Sequence, residues 1–214
     1  MRRGRMARAR APKRKEPGEY HHGDLRRALL EAALTMVVES GPESFSVREA
    51  ARRVGVDHRA AYRHFADKAT VLAELAQEGY ERILRTWNGV LADIPPEQVH
   101  ARLVALGRAY IEFAYREPGR YRVMTGPRLN EEGRFPELEV PIDAGMSLLK
   151  AELQAGMARG VLREGDIFEC ALTLWSAMHG LASFIVMRRI RVRKDQLAPF
   201  AERALSATVR GLER

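Results

Sequence analysis

The sequence predicts an all-α protein: an N-terminal three-helix unit containing a helix-turn-helix, then a larger C-terminal helical domain, about nine helices in all. Three observations predict it. Apolar residues recur at steps of three and four from about Asp24 to the end, the period of a helix with one buried face. No run shows the strict alternation of a strand. Gly and Pro fall between the periodic stretches and punctuate them.

The first helix is expected from about Asp24 to Ser40, with Leu25, Ala28, Leu29, Ala32, Ala33, Met36 and Val37 on its apolar face, Asp24 as N-cap and Gly41-Pro42 as the stop. Ser46-Val47-Arg48-Glu49 reads as a capping box, with Glu49 reaching back to the start of a second helix that ends at Gly55. A short third helix follows from about His58 to Phe65. Asp67 then caps a long fourth helix that buries Val71, Leu72, Leu75 and Ala76. Pro95-Pro96 ends that run, and a helix of roughly twenty residues follows up to Glu117-Pro118-Gly119. A short helix is expected near Gly119–Thr125, a loop over 126–136, and three more helices near 139–159, 166–189 and 195–213.

The chain has 214 residues and a formal charge of +8. Residues 1–68 hold 16 Lys/Arg against 9 Asp/Glu, whereas residues 69–214 hold 20 against 19. The excess positive charge is therefore local, as a surface for a polyanion would be. Residues 1–19, with Arg2, Arg3, Arg5, Arg8, Arg10, Lys13, Arg14 and Lys15, read as a disordered basic arm: either a solubilising tail or an arm that lies on phosphates or in a minor groove. Residues 20–68 read as the helix-turn-helix domain and 69–214 as a second helical domain. Cys170 is the one cysteine, so no internal disulfide forms and nothing points to an oxidising compartment. No apolar h-region follows the basic N-terminus, no stretch of 18 apolar residues is present, and the expected location is the cytoplasm.

Two short helices joined at Gly55-Val56 form the helix-turn-helix, and the second is the expected reader. Val56, Ala61 and Phe65 can pack inward; His58, Arg59, Tyr62 and His64 can point outward; Ala60 is small enough for close approach to a groove. Ser46 and Arg48 lie near the same edge. Read from the residues alone, Arg52 and Arg53 form a solvated face. His21 and His22 are adjacent on a loop with no further ligand nearby, which argues against metal.

Residues 24–80 resemble the DNA-binding domain of the TetR family. The matching residues are Ser46-Val47-Arg48-Glu49-Ala50-Ala51, Gly55-Val56, and Ala60-Ala61-Tyr62-Arg63-His64-Phe65-Ala66-Asp67-Lys68. The resemblance implies that Tyr62, His64 and Lys68 contact phosphates, Lys68 with help from the dipole of the fourth helix, that Arg48 contacts a base or phosphate, and that His58, Arg59 and Ala60 face base edges. Asp57 departs from the family pattern, where Ser or Thr is frequent; it either caps the reading helix or accepts from a cytosine amine.

In the second domain, Ile167, Ala171, Leu174, Trp175, Met178, Leu181 and Ile185 form one apolar stripe, and Leu197, Phe200, Ala204, Thr208 and Leu212 another. Both stripes are expected to serve core and subunit interface alike, and the resemblance implies a four-helix interface between two subunits. Trp175-Ser176-Ala177-Met178-His179-Gly180 resembles the Trp-x-x-x-His-Gly motif of one TetR subgroup, and 117–124 resembles that subgroup's sixth helix. Trp87, Tyr110, Phe113, Met124, Trp175, Met178 and His179 are candidates to line an effector pocket, although a Met and aromatic set at helical spacing also describes plain core.

The resulting expectation is a homodimer that binds double-stranded DNA at a palindromic operator, as a repressor released by a small-molecule effector of unknown identity. No cofactor, metal, membrane or catalytic residue is expected. An enzyme on a helical scaffold finds no phosphate loop, nucleophile elbow or metal set in the sequence, and Cys170 reads as a small buried hydrophobe. The alternative is a non-specific nucleic-acid-binding protein driven by the basic arm. A membrane role lacks an apolar face beside that arm.

Overall fold

The structure is a computed structural model that describes residues 22–126, 128–131 and 133–214. The basic arm, with His21, lies outside the described residues. Within them the chain forms nine α-helices and no strand: α1 (His22–Ser40), α2 (Val47–Val54), α3 (His58–Tyr62), α4 (Lys68–Ala92), α5 (Val99–Arg116), α6 (Pro118–Met124), α7 (Pro136–Ala158), α8 (Ile167–Val186) and α9 (Leu197–Arg210).

The boundaries differ from the sequence expectation where a local interaction outweighs periodicity. The first helix begins at His22, so Asp24 sits in its first turn instead of capping it, where its charge still favours the helix N-terminus. The reading helix stops at Tyr62, three residues early. The Arg63 and His64 N–H groups reach back only two and three residues to the Ala61 carbonyl, a tightened turn after which the fully buried Phe65 enters the core. α7 begins earlier than expected, with Pro136 in its first turn, where a missing N–H is harmless. α8 ends at Val186 because Arg188 adopts a left-handed φ of 56°.

α1, α2 and α3 pack around Leu29, Ala33, Phe45, Ala51, Ala61 and Phe65. α4 continues from this unit into the second domain without a break: Val71 and Leu72 face the first core, Ile83 and Trp87 the second. α5 is the central helix of the second domain and packs on α4, α7, α8 and α9. At Gly107 on α5, a Cβ would come within 2.7 Å of Leu205 and 3.0 Å of Met178, so only glycine lets α8 and α9 approach this closely.

Two buried arginines tie helices together. Arg102 on α5 makes a bidentate pair with Glu152 on α7, at 2.7 and 2.8 Å, and donates to the Leu91 carbonyl near the end of α4. Arg120 on α6 bridges Glu78 on α4 and Glu117, at 2.8 and 2.7 Å. Apolar periodicity does not mark either residue, because it tracks apolar side chains and these are cations.

The apolar stripe of α9 is rotated from the expected one. Leu197, Ala201, Leu205 and Val209 are buried, while Phe200, Ala204, Thr208 and Leu212 are half-buried beside them. On α8 the buried row is Ala171, Leu174, Met178, Ala182 and Ile185. Phe168, Leu172, Trp175 and Phe184 of α8, and Met187 just after it, are exposed. α8 is the single helix among the described residues long and apolar enough to span a bilayer by length and composition, and a third of it is buried within this chain. It packs on α5, α7 and α9 as a core helix of the second domain.

Candidate nucleic-acid interface

The turn of the helix-turn-helix is fixed by backbone chemistry. Ser46 caps α2, its Oγ accepting from the Glu49 N–H at 3.2 Å. At the other end Gly55, with φ 82°, takes the left-handed conformation, and the Gly55 and Val56 N–H groups both donate to the Ala51 carbonyl at 3.0 Å. A side chain at Gly55 would be strained by the backbone alone. Asp57 then caps α3, its Oδ1 accepting from the Arg59 N–H at 2.7 Å. Of the two roles open to Asp57 in the sequence, this geometry supplies the cap.

One face of α3 is docked and the other free. Ala61 and Phe65 are fully buried, and the Arg26 guanidinium lies 5.0 Å from the centre of the Phe65 ring. Tyr62 is 47% exposed, and Arg59 and Arg63 are exposed with it. His58 is half-buried and meets the edge of Tyr62 at a ring separation of 6.5 Å. Ala60 and His64 are half-buried as well. Ser46, Arg48, Glu49, Arg52, Val56, Asp57 and His58 line a groove of about 430 Å³ between α2 and α3. Among the described residues Arg48, Arg59 and Arg63 have no carboxylate partner.

By contrast Arg52 and Arg53 are engaged. Arg52 pairs with Glu49, and Arg53 bridges Glu49 and Glu39. The Arg52 guanidinium holds the Glu49 carboxyl down at about 2, with Arg53 adding to the effect. Lys68 is half-buried, and its ammonium donates to the Glu43 carbonyl, which fixes it beside the first turn of α4 with two N–H bonds still to give. Asp67 fills the N-terminus of α4, accepting from the Thr70 N–H at 2.9 Å, and pairs with Arg134 at 2.6 Å. The Thr70 bond and then Arg134 lower the Asp67 pKa.

The seven pocket candidates do not come together. Trp87, Tyr110 and Trp175 line one small apolar cavity of about 70 Å³ with Tyr80, Ile83, Pro141, Ile142, Gly145, Met146 and Leu149. His179 lies at its edge, with Trp175 at a ring separation of 6.2 Å. Met124 instead faces α4 and an open cleft of about 590 Å³ beside the loop after α6, next to the cavity across Tyr80 and Ile142. Phe113 lines a groove between α4 and α5, together with Arg82, Arg85, Arg108 and Arg116. Met178 is fully buried against Gly107. Apolar periodicity says that a residue is buried but not which neighbouring helix it faces.

Tyr80 and Tyr121 are the residues that sequence reasoning missed. The Tyr121 hydroxyl lies 3.2 Å from His179 Nδ1 and donates to the His179 carbonyl, also at 3.2 Å. The Tyr110 hydroxyl lies 3.4 Å from the same Nδ1. Burial pushes the Tyr121 hydroxyl up to about 12, raises the Tyr110 hydroxyl as well, and lowers His179. All three are therefore neutral near pH 7, forming a buried polar cluster next to the cavity, which Tyr110 and Trp175 line. Tyr121 sits in the Glu117–Met124 segment singled out from sequence, so a signal for it existed. Among the described residues no group of three His, Cys, Asp or Glu is placed to hold a metal ion.

Residues 29–75 match the family model for bacterial regulatory proteins of the tetR family, and residues 103–208 match the tetracyclin repressor-like C-terminal domain. The nucleoid occlusion factor SlmA of Aliivibrio fischeri (strain MJ11) is 30% identical over 145 residues, 67% of this chain and 72% of that protein. A solved structure of a protein with unknown function from Rhodococcus sp. RHA1 matches with a TM-score of 0.71 and 27% identity, over 92% of this chain and all of that one. The ketosteroid transcriptional regulator KstR2 of Mycobacterium tuberculosis shares the fold, with a TM-score of 0.70 and 20% identity over 88% of this chain and 97% of its own. With a capped, turn-locked reading helix whose outer face is open and basic, and with these likenesses, the chain belongs to the TetR family of bacterial regulatory proteins and is a DNA-binding transcriptional regulator.

Proposed function

We propose that this regulator is a homodimeric repressor that leaves a palindromic operator when a small molecule fills the cavity between α4, α5, α7 and α8. The observation that carries the reading is the two-sidedness of α3: Ala61 and Phe65 anchor it while Tyr62 and Arg59 stand free. Arg48 contacts a base or phosphate, His58, Arg59 and Ala60 face base edges, Tyr62, His64 and Lys68 contact phosphates, and Ser46 lies at the same groove edge. Phosphate contacts set position and salt dependence, whereas base contacts set sequence.

Dimerisation is supported by the outer side of α8. Phe168 and Met187 are 58% and 59% exposed at its two ends, and Leu172, Trp175 and Phe184 lie between them. A Cβ on Gly180, on this helix, would meet nothing within 4 Å, so that glycine leaves room for a second helix. Two groups of exposed apolar side chains on one helix, Phe168, Leu172 and Trp175 toward its start and Phe184 and Met187 at its end, are surface that a partner would cover. A twofold pair presents two reading helices to half-sites about 34–36 Å apart.

Effector release is supported by α6. Tyr121 meets His179 and the cavity-lining Tyr110, while the adjacent Arg122 donates to the carbonyls of Val37 and Val38 at the end of α1. Filling the cavity would shift α6 and α4 together and change the spacing of the two α3 helices. The shift is limited by the ligand's differential affinity for the two states. The ligand class that fits is flat and apolar, with one hydrogen-bonding group for the Tyr110–Tyr121–His179 cluster.

Selection of bound fragments from random DNA tests the reading. A palindrome with one-turn spacing is expected, together with loss of selective binding in Tyr62→Ala and Arg59→Ala; no salt-sensitive, sequence-selective binding by the pure protein would sink it. Deleting residues 1–19 separates the arm-driven alternative, in which binding would vanish instead of keeping its sequence preference. The name of the SlmA relatives favours one further reading, a role in nucleoid occlusion. Occupancy at many chromosomal sites, without a change in transcription on deletion, would support that role over repression.

A further inference from the structure

We infer that the turn between α8 and α9 is a second DNA-contacting surface, which grips backbone phosphates and adds affinity without reading sequence. The inference rests on the DNA-binding reading above and adds a site to it. Residues 188–195 hold Arg188, Arg189, Arg191, Arg193 and Lys194 against the single acid Asp195. The rest of residues 69–214 holds 15 Lys/Arg against 18 Asp/Glu, so this turn is a strongly basic segment of a domain whose remainder carries a slight excess of acid. One or two cations would satisfy a helix C-terminus; these continue through the whole turn.

The turn is built, not loose. Ile190 and Val192 are half-buried against the core, so the alternating Arg189, Arg191 and Arg193 are exposed. The Arg189 N–H donates to the Phe184 carbonyl at 2.8 Å and the Arg188 N–H to the Ile185 carbonyl at 3.0 Å, closing the end of α8. Arg188 holds the left-handed position, φ 56°, where glycine is usual and any other side chain is strained. Only Arg193 has a carboxylate partner among the described residues, Asp195 at 3.1 Å.

The position is what makes duplex DNA the partner. α8 runs alongside α5 in the same direction: Met178 meets Gly107, and His179 meets Tyr110 and Tyr121. α5 in turn leads into α6, where Gly119 abuts Leu34 and Val38 of α1. α9 runs back the other way, from Leu197 past Glu202 beside Arg108 to Glu213 beside His100. The α8–α9 turn therefore lies at the end of the second domain that carries the helix-turn-helix. In the proposed dimer the two turns sit near the twofold axis, above the stretch of duplex between the half-sites. The like charges that gather there are neutralised by phosphates.

The test uses the full-length protein and measures operator binding across salt concentrations. The variants are a turn triple (Arg189→Gln, Arg191→Gln, Lys194→Gln), a far-end triple that removes the same charge (Arg159→Gln, Arg163→Gln, Arg210→Gln), and Tyr62→Ala. Each phosphate contact contributes about 0.9 to the slope of log affinity against log salt, so one contact per subunit lowers a dimer's slope by about 2. The expected result is that fall, with a loss of affinity of about tenfold or more near 0.15 M salt, in the turn triple alone. The ratio of operator to scrambled-duplex affinity stays unchanged, because phosphates carry no sequence. A turn triple that behaves like wild type, or like the far-end triple, overturns the inference. So does loss of binding to anionic phosphatidylglycerol vesicles with DNA binding intact, which would make the partner a membrane. If wild type and Tyr62→Ala bind all duplexes alike, the regulator reading fails first, and that arm shows it separately.

Discussion

The Arg122 guanidinium donates to the Val38 carbonyl at 2.9 Å, joining α6 to the last turn of α1. The same nitrogen reaches the Val37 carbonyl at 3.3 Å. A helix end leaves carbonyls without intrahelical partners, and a cation there is favoured by the dipole. One side chain thus satisfies the DNA-binding domain's first helix from the second domain. Arg122→Ala is expected to cost about 1–3 kcal/mol, the range for hydrogen bonds to a charged group. Denaturant melts measure the loss. Operator binding should persist, while release by effector weakens; unchanged release would remove α6 from the coupling route.

Asp57 separates capping from charge at the reading helix. Asp57→Ala removes the acceptor for the Arg59 N–H and should cost about 1 kcal/mol of stability. Asp57→Ser keeps a cap and deletes a negative charge from the DNA face. That variant should melt close to wild type yet bind DNA several-fold tighter at low salt, with the difference shrinking as salt rises. Weaker binding by Asp57→Ser would mean that the carboxylate accepts a bond from a base.

Gly107→Ala tests the closest helix approach in the second domain. The added methyl would lie 2.7 Å from Leu205, a fully buried side chain with little room to move. The helix gains up to about 1 kcal/mol in propensity but loses about 1–3 kcal/mol to overpacking, so net destabilisation is expected. Thermal melts of Gly107→Ala, alone and with Leu205→Ala, check it: the pair should be less destabilised than the sum of the two single changes.

His179 sets a pH dependence. Burial lowers its pKa below the ordinary 6.5, so the unfolded chain takes up a proton before the folded one does. Stability contributed by the neutral imidazole is full above about pH 6.5 and is lost as pH falls toward and through the lowered folded value. The melting temperature of wild type should therefore drop relative to His179→Gln between pH 7 and pH 5. Parallel curves for the two proteins would show that this ring is not the titrating group.

How much was legible differs between the two domains. Ser46, Gly55, Ala61, Phe65 and Asp67 lie close together in the chain, and capping, left-handed closure and inward packing act within a few residues, so their roles follow from local pattern. The same locality has limits: α3 ends at Tyr62, where the Arg63 and His64 N–H groups close a tight turn onto the Ala61 carbonyl. The cavity was poorly legible. Phe113, Met124 and Met178 are as apolar and as helical as Trp87 and Tyr110, yet each faces a different neighbour.

By itself the sequence determined the helical period, the helix-turn-helix and its caps, and the concentration of positive charge toward the N-terminus. Those are properties of short segments and of composition. Only the tertiary structure decided that Arg102 and Arg120 are buried links, that Tyr121 joins His179, and that the basic turn after α8 stands at the helix-turn-helix end. Each depends on the relative rotation and direction of helices far apart in the chain, which packing sets through close approaches such as Gly107 against Leu205 and which no local periodicity encodes.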